Sequence, residues 1–130
     1  MQPPKNAEVH ETVSSTAWLD ENGIICSISK KCPPPTLEQS KTEIIAFWKK
    51  FGEGKFCMLI DITDAPPTSK EVRDWAAAEL NKMVKAIAMM SRSALGRMIV
   101  NLFFGLKPPP YPTKTFNDEK EAKEWLKQYL

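Results

Sequence analysis

Residues 84–126 read VKAIAMMSRSALGRMIVNLFFGLKPPPYPTKTFNDEKEAKEWL, and this stretch decides the fold. Val84–Met90 is an apolar run of strand length, broken by Ser91, Arg92 and Ser93. Ala94–Leu106 then repeats apolar residues at helical spacing, with Gly105 near its end. Pro108, Pro109, Pro110 and Pro112 bar any continuation, because each lacks an amide hydrogen and fixes φ. Thr113–Phe116 is a short strand, and Asn117 is placed to cap a last helix with Ala122, Trp125, Leu126 and Tyr129 on its inward face. A strand, a helix and a second strand in succession form a crossover unit, which calls for a layered α/β domain with a largely parallel sheet.

Working back toward the N-terminus, the same alternation continues. Phe56–Ile62 is almost wholly apolar, as expected of a central strand covered on both faces. After the loop Thr63–Pro67, Thr68 and Glu71 have the spacing of a capping box, and Val72, Trp75, Ala76 and Leu80 form an inward stripe. Before the central strand, Thr36 and Gln39 have the same box spacing. Leu37, Ile44, Trp48 and Phe51 follow at helical intervals, flanked by Ile45 and Phe47, and Gly52, Glu53 and Gly54 end the helix. In AWLDENGIICSIS, residues 17–29, Asn22-Gly23 stands between two strand-like runs and signals an antiparallel hairpin through its tolerance of positive φ. The expected architecture is a mixed, largely parallel sheet with an N-terminal β-hairpin and four helices. Residues 15–130 read as a single domain, preceded by a polar, proline-bearing segment, 1–14, that is flexible or adds at an edge.

Composition narrows the function classes. The chain has 130 residues, enough for one core, and its 18 basic against 16 acidic side chains give a net charge of +2 that is spread out rather than gathered into an arm. Nucleic acid is not indicated. Cys26, Cys32 and Cys57 are odd in number and lack paired ligand spacing, which argues against a disulfide framework and a zinc site and for a reducing, cytoplasmic setting. No run reaches the roughly 18 apolar residues of a membrane span, and Met1–Glu11 lacks the apolar centre of a secretory leader. His10 is the only histidine, so neither a metal site nor a Cys–His nucleophile can be assembled around it. Five glycines supply no phosphate loop or dinucleotide fingerprint. No cofactor and no enzymatic activity are expected.

The element order over about Thr16–Leu130 resembles the sulphate-transporter and anti-sigma-factor-antagonist (STAS) family. Residues 84–126 are the more specific part and look like its bacterial SpoIIAA-like branch: strand, Ser-rich turn, apolar helix, short strand and a Trp-bearing acidic helix. The resemblance implies a small cytoplasmic, non-catalytic module that acts by protein contacts, in some members through phosphorylation of a hydroxyl at the start of the second helix. Where the family carries Asp-Ser-Ser/Thr-Gly, this chain reads Asp64-Ala65-Pro66-Pro67-Thr68-Ser69-Lys70, so Thr68 and Ser69 occupy the matching place without the motif. Some SpoIIAA-like relatives have apolar pockets, which suggests a carrier or sensor of a small apolar or anionic molecule as the alternative function.

Candidate sites follow from this arrangement. Thr68 or Ser69 at a helix N-terminus could accept a phosphate, although capping, which needs only a hydroxyl, is the simpler reading. Ligands of open α/β sheets collect outside the carboxyl ends of the strands, a rim expected to hold Asp61, Thr63, Asp64, Ser91, Arg92 and Ser93. Arg92 between two hydroxyls could fork onto an anion; the plainer alternative is a serine cap beside a solvated arginine. Asp61 and Asp64 alone are too few for a receiver-type magnesium site, which needs a further acidic pair.

The helix Ala94–Leu106 carries Leu95, Met98, Ile99, Leu102, Phe103 and Leu106 on one broad face, as a core helix requires. Arg97, Val100, Asn101 and Phe104 fall opposite and form the expected outward interface, because exposed apolar residues four apart call for a cover. A second copy of the chain ranks first, a dimer being favoured, then an unidentified protein partner. Lipid ranks last, since the polar side offers only Arg97. The competing reading folds Lys107–Pro112 back over Phe104.

Overall fold

The structure, a computed structural model, describes residues 1–52 and 54–130. Glu53, the middle of the expected Gly52–Gly54 helix stop, lies outside the described residues. Six strands form one sheet in chain order: β1 (His10–Glu11), β2 (Ser15–Leu19), β3 (Ile25–Ser29), β4 (Phe56–Asp61), β5 (Val84–Met90) and β6 (Thr113–Phe116). The first three pair antiparallel, and β3 through β6 pair parallel. Three helices connect the parallel strands: α1 (Leu37–Phe51), α2 (Lys70–Leu80) and α3 (Ala94–Leu106). The helix α4 (Glu119–Leu126) and a 3-10 turn, Lys127–Tyr129, complete the chain. The sheet is therefore mixed and mostly parallel, as the alternation of elements requires.

Topology fixes the layers. Crossovers between successive parallel strands share one hand, so a monotonic strand order places α1, α2 and α3 on one face and leaves the other to α4. The two buried clusters follow this division. On one face Ile25, Met58, Met83, Val84 and Ile87 meet Ile44, Phe47, Trp48 and Phe51 of α1 and Leu80 of α2. On the other, Trp18, Cys26, Leu59 and Phe116 pack with Ala122 and Leu126 of α4. Ala86 and Ala88 of β5 and Ala122 are all at 0% exposure. These small side chains let α4 lie close to the sheet, where a larger residue would force the two apart.

Local signals account for the element ends. Thr36 and Gln39 close a reciprocal capping box, at 3.1 Å to the Gln39 amide and 2.9 Å from the Thr36 amide to the Gln39 side chain. Elsewhere the cap lies one residue beyond the expected one: Ser69, not Thr68, accepts from the Val72 amide, and Asp118, not Asn117, accepts from Glu121. The hairpin turn also departs from a two-residue Asn-Gly turn. Only Gly23 has positive φ (+82°), while the Asp20 carboxylate accepts from the amides of Asn22 at 2.9 Å and Ile24 at 2.8 Å. An aspartate organising its own turn replaces the left-handed asparagine.

The third helix is turned the opposite way to the expectation. Leu95, Met98, Ile99, Leu102, Phe103 and Leu106, the expected core face, are 43–77% exposed. Arg97, Val100 and Phe104, expected outside, are half-buried, and Asn101 bonds the edge strand while keeping much of its surface exposed. The cause is the position of α3 at the end of the sheet. It meets β6, whose Thr115 hydroxyl donates to the Asn101 side-chain Oδ1 at 3.0 Å, and Arg97 donates to the Ser91 backbone carbonyl at 2.5 Å. The polar side of the helix finds its hydrogen bonds on the protein, and the apolar stripe overhangs the edge.

Candidate functional site

Two regions carry the expected site residues. At the strand-end rim, Asp61 is 6% exposed, and its Oδ1 accepts from the amide of Thr63 at 2.9 Å and from its hydroxyl at 2.6 Å. The same hydroxyl accepts from the Arg92 amide at 3.2 Å, so one short network ties the loop after β4 to the loop after β5. Ser91 is 2% exposed, and its hydroxyl accepts from the Ser93 amide at 3.1 Å. Ser93 in turn caps α3 by accepting from Gly96 at 3.1 Å. A Cβ at position 96 would stand 3.2 Å from the Ser91 Oγ, so glycine suits this first helical turn. The structure thus brings Asp61, Ser91 and Ser93 together as fasteners of backbone.

The remaining rim residues stand apart from that network. Arg92 presents its side chain to solvent, and Asp64 is half-exposed in the loop beyond Thr63. Thr68 is half-buried, its carbonyl accepting from the Arg73 guanidinium, while Ser69 holds the cap. Among the described residues, no group of three or more His, Cys, Asp or Glu side chains is gathered in a way that could hold a metal ion.

The stripe on α3 is the larger feature. Its six apolar side chains expose on the order of 600 Å² together, at the upper end of the largest apolar patch on an ordinary monomer. No charged residue interrupts it. At its border the Arg73 guanidinium sits 4.7 Å from the centre of the Phe103 ring. Beyond the C-terminus of the helix, Lys107 bonds Asp74 of α2 at 2.8 Å, and Lys70 bonds the same carboxylate at 2.6 Å. The two ammonium groups pull the Asp74 carboxyl down to about 2 by hydrogen bonding to its charged form. This pairing anchors the start of the proline-rich connection to α2. Between α3 and β6 a cleft of about 360 Å³ is lined by Arg97, Asn101, Lys114 and Glu121 among others, with charges of both signs.

A third region was not anticipated from the sequence. Under α1 and α2, a cavity of about 160 Å³ has Phe47, Met58 and Met83 in its wall and Ser27 and Glu43 as polar lining. Its signal in the sequence is slight: Ser27 interrupts the apolar positions of β3 on the face that α1 covers.

The fold assembled by these elements is SpoIIAA-like. A protein of the DUF3478 family from Shewanella loihica PV-4, described as uncharacterised and as having a SpoIIAA-like fold, superposes with a TM-score of 0.59 over 97% of this chain and 98% of that one, at 15% identity. The chain itself belongs to the family described as domain of unknown function DUF7793, whose model matches residues 17–130. A protein of unknown function from Arthrobacter sp. FB24 is 26% identical over 92% of this chain and 96% of that one, with a TM-score of 0.31. No curated protein matches the chain in sequence. Among the described residues, no helix is long and apolar enough to cross a membrane.

Proposed function

We propose that this chain is a non-catalytic regulatory module of STAS type, acting in the cytoplasm and pairing with a second copy of itself through the exposed stripe of α3. The observation that carries the proposal is that the most apolar helix of the chain turns that stripe outward. The occupant follows from chemistry and area. A stable interface buries roughly 800 Å² per partner, and the stripe alone exposes on the order of 600 Å². A charged partner would find no opposite charge along the stripe. An anionic membrane would want several free cations beside it, whereas Arg97 is bonded to Ser91, Lys107 to Asp74, and Arg73 to the Thr68 carbonyl. A second copy offers the same uncharged stripe, and a two-fold axis satisfies both at once. Gly105, whose surroundings are open, permits close approach of the helices. Three free thiols agree with a reducing compartment.

Light scattering after size exclusion tests the pairing, with wild type and Leu102→Glu compared over a wide concentration range. Leu102 is 64% exposed, so the variant should remain folded and run as a monomer while the wild type runs as a dimer. Phe104→Glu serves as the contrast. Its side chain is half-buried, so the substitution should lower stability. A wild type that stays monomeric at high concentration overturns the proposal, as does a Leu102→Glu dimer.

A further inference from the structure

From the cavity under α1 and α2 we infer a binding site for a small apolar molecule with a cationic, hydrogen-bond-donating head, such as an arylalkylamine. The volume, about 160 Å³, is that of a cavity able to hold a benzene-sized group. Met58 and Met83 are 5% and 3% exposed and, with Phe47, present an apolar floor whose thioethers and ring suit an aromatic guest. Thr12, Ser15 and Glu43 are half-exposed, so the polar lining marks the mouth.

Two polar groups point to a ligand. Ser27 lies in the middle of β3, opposite Ala17 on one side and Ile60 on the other, and is 7% exposed. It lines the cavity, and among the described residues no side chain or backbone group hydrogen-bonds its hydroxyl. The hydroxyl faces the cavity rather than standing among the chain's buried, unpartnered polar atoms, so a guest can replace water as its hydrogen-bond partner. Glu43 accepts one hydrogen bond, from the Ser14 hydroxyl to Oε2 at 2.5 Å, and no Lys, Arg or His among the described residues pairs with it. Its Oε1 is therefore available to a guest. The lining residues carry no cation and Lys30 at the rim is already paired with Glu11, so the Glu43 carboxylate favours an ammonium over a carboxylate head. The rim is held in place: the Thr12 hydroxyl accepts from the amides of Ser14 and Ser15, and Lys30 donates to the Thr12 carbonyl at 2.8 Å. This site lies apart from the α3 stripe, so it stands or falls independently of the pairing through α3.

The test is a nuclear magnetic resonance titration of the full chain with benzylamine, benzyl alcohol and phenylacetate. Benzylamine should shift the amides around Ser27, Glu43 and Met58 in a saturable way, with benzyl alcohol weaker at the same residues and phenylacetate without effect there. Glu43→Gln keeps the shape of the side chain and should weaken benzylamine at least tenfold, to the level of benzyl alcohol. Ser27→Ala, a smaller change, should weaken both amine and alcohol. The inference is overturned if none of the three probes gives saturable shifts at these residues, if benzylamine binds Glu43→Gln as it binds the wild type, or if its shifts lie only at other surface carboxylates.

Discussion

Burial decides what individual side chains do in this chain, and the cysteines display it most simply. Cys26 lies at 0% exposure between Trp18 and α4, and burial pushes its thiol up to about 12. Cys57, at 1% exposure in the central strand, is raised by burial as well. Cys32 is half-exposed after β3. A thiol reacts as its thiolate, so Ellman's reagent at pH 8 should titrate one cysteine rapidly, Cys32, and all three only after denaturation. Comparable rates at Cys26 or Cys57 in the native protein would contradict the packing of α4 on β4. The same scale shows what the sequence conceals. Asp61, Ser91 and Ser93 have the composition of an anion or metal rim, yet their hydrogen bonds close on the Thr63 amide and hydroxyl, the Ser93 backbone and the Gly96 amide. Residue types at a loop do not disclose which of their lone pairs the loop itself will consume.

At the scale of elements, apolar period and turn residues located the strands and helices, because a run such as Val84–Met90 has one length and one covering that suit it. Caps were legible only to within a residue, since Thr68 and Ser69, or Asn117 and Asp118, offer equivalent acceptors and the loop geometry chooses between them. The rotation of α3 was not legible. Its apolar stripe specifies a helix that must cover something, while the identity of that surface depends on where the sheet ends. The contact holding its C-terminal end is electrostatic and exposed, and therefore pH-dependent. Asp74 has its pKa depressed to about 2 by Lys107 and Lys70, so its contribution to stability is present above the unfolded value of about 4 and is lost as pH falls from about 4 to about 2. Thermal unfolding should show wild type ahead of Asp74→Asn at pH 5, with the gap largely closed at pH 2 and gone below it, and smaller in high salt. A gap that does not change with pH would mean that Asp74 does not hold Lys107 and Lys70 in solution.

For the whole molecule, the order of elements was enough to derive a mixed, largely parallel sheet with a leading hairpin and four helices, while the division of the helices, with α4 alone on its face, comes from the strand order and the two buried clusters. Surfaces and cavities arise from tertiary placement and leave weaker traces. A single serine in β3 marks the cavity, and an overlong apolar stripe marks the exposed face. A sequential sheet of this kind has two edges: β1 closes one with a short two-residue strand, and β6 ends the other beneath α3. The account therefore places the chain's means of association at its C-terminal edge. Amide hydrogen exchange, followed at low and high protein concentration, tests this most directly because it locates contact as well as detecting it. The account predicts that protection across Ala94–Leu106 rises with concentration in the wild type and does not rise in Leu102→Glu. Protection across α3 that is independent of concentration, or a rise confined to another element, would contradict it.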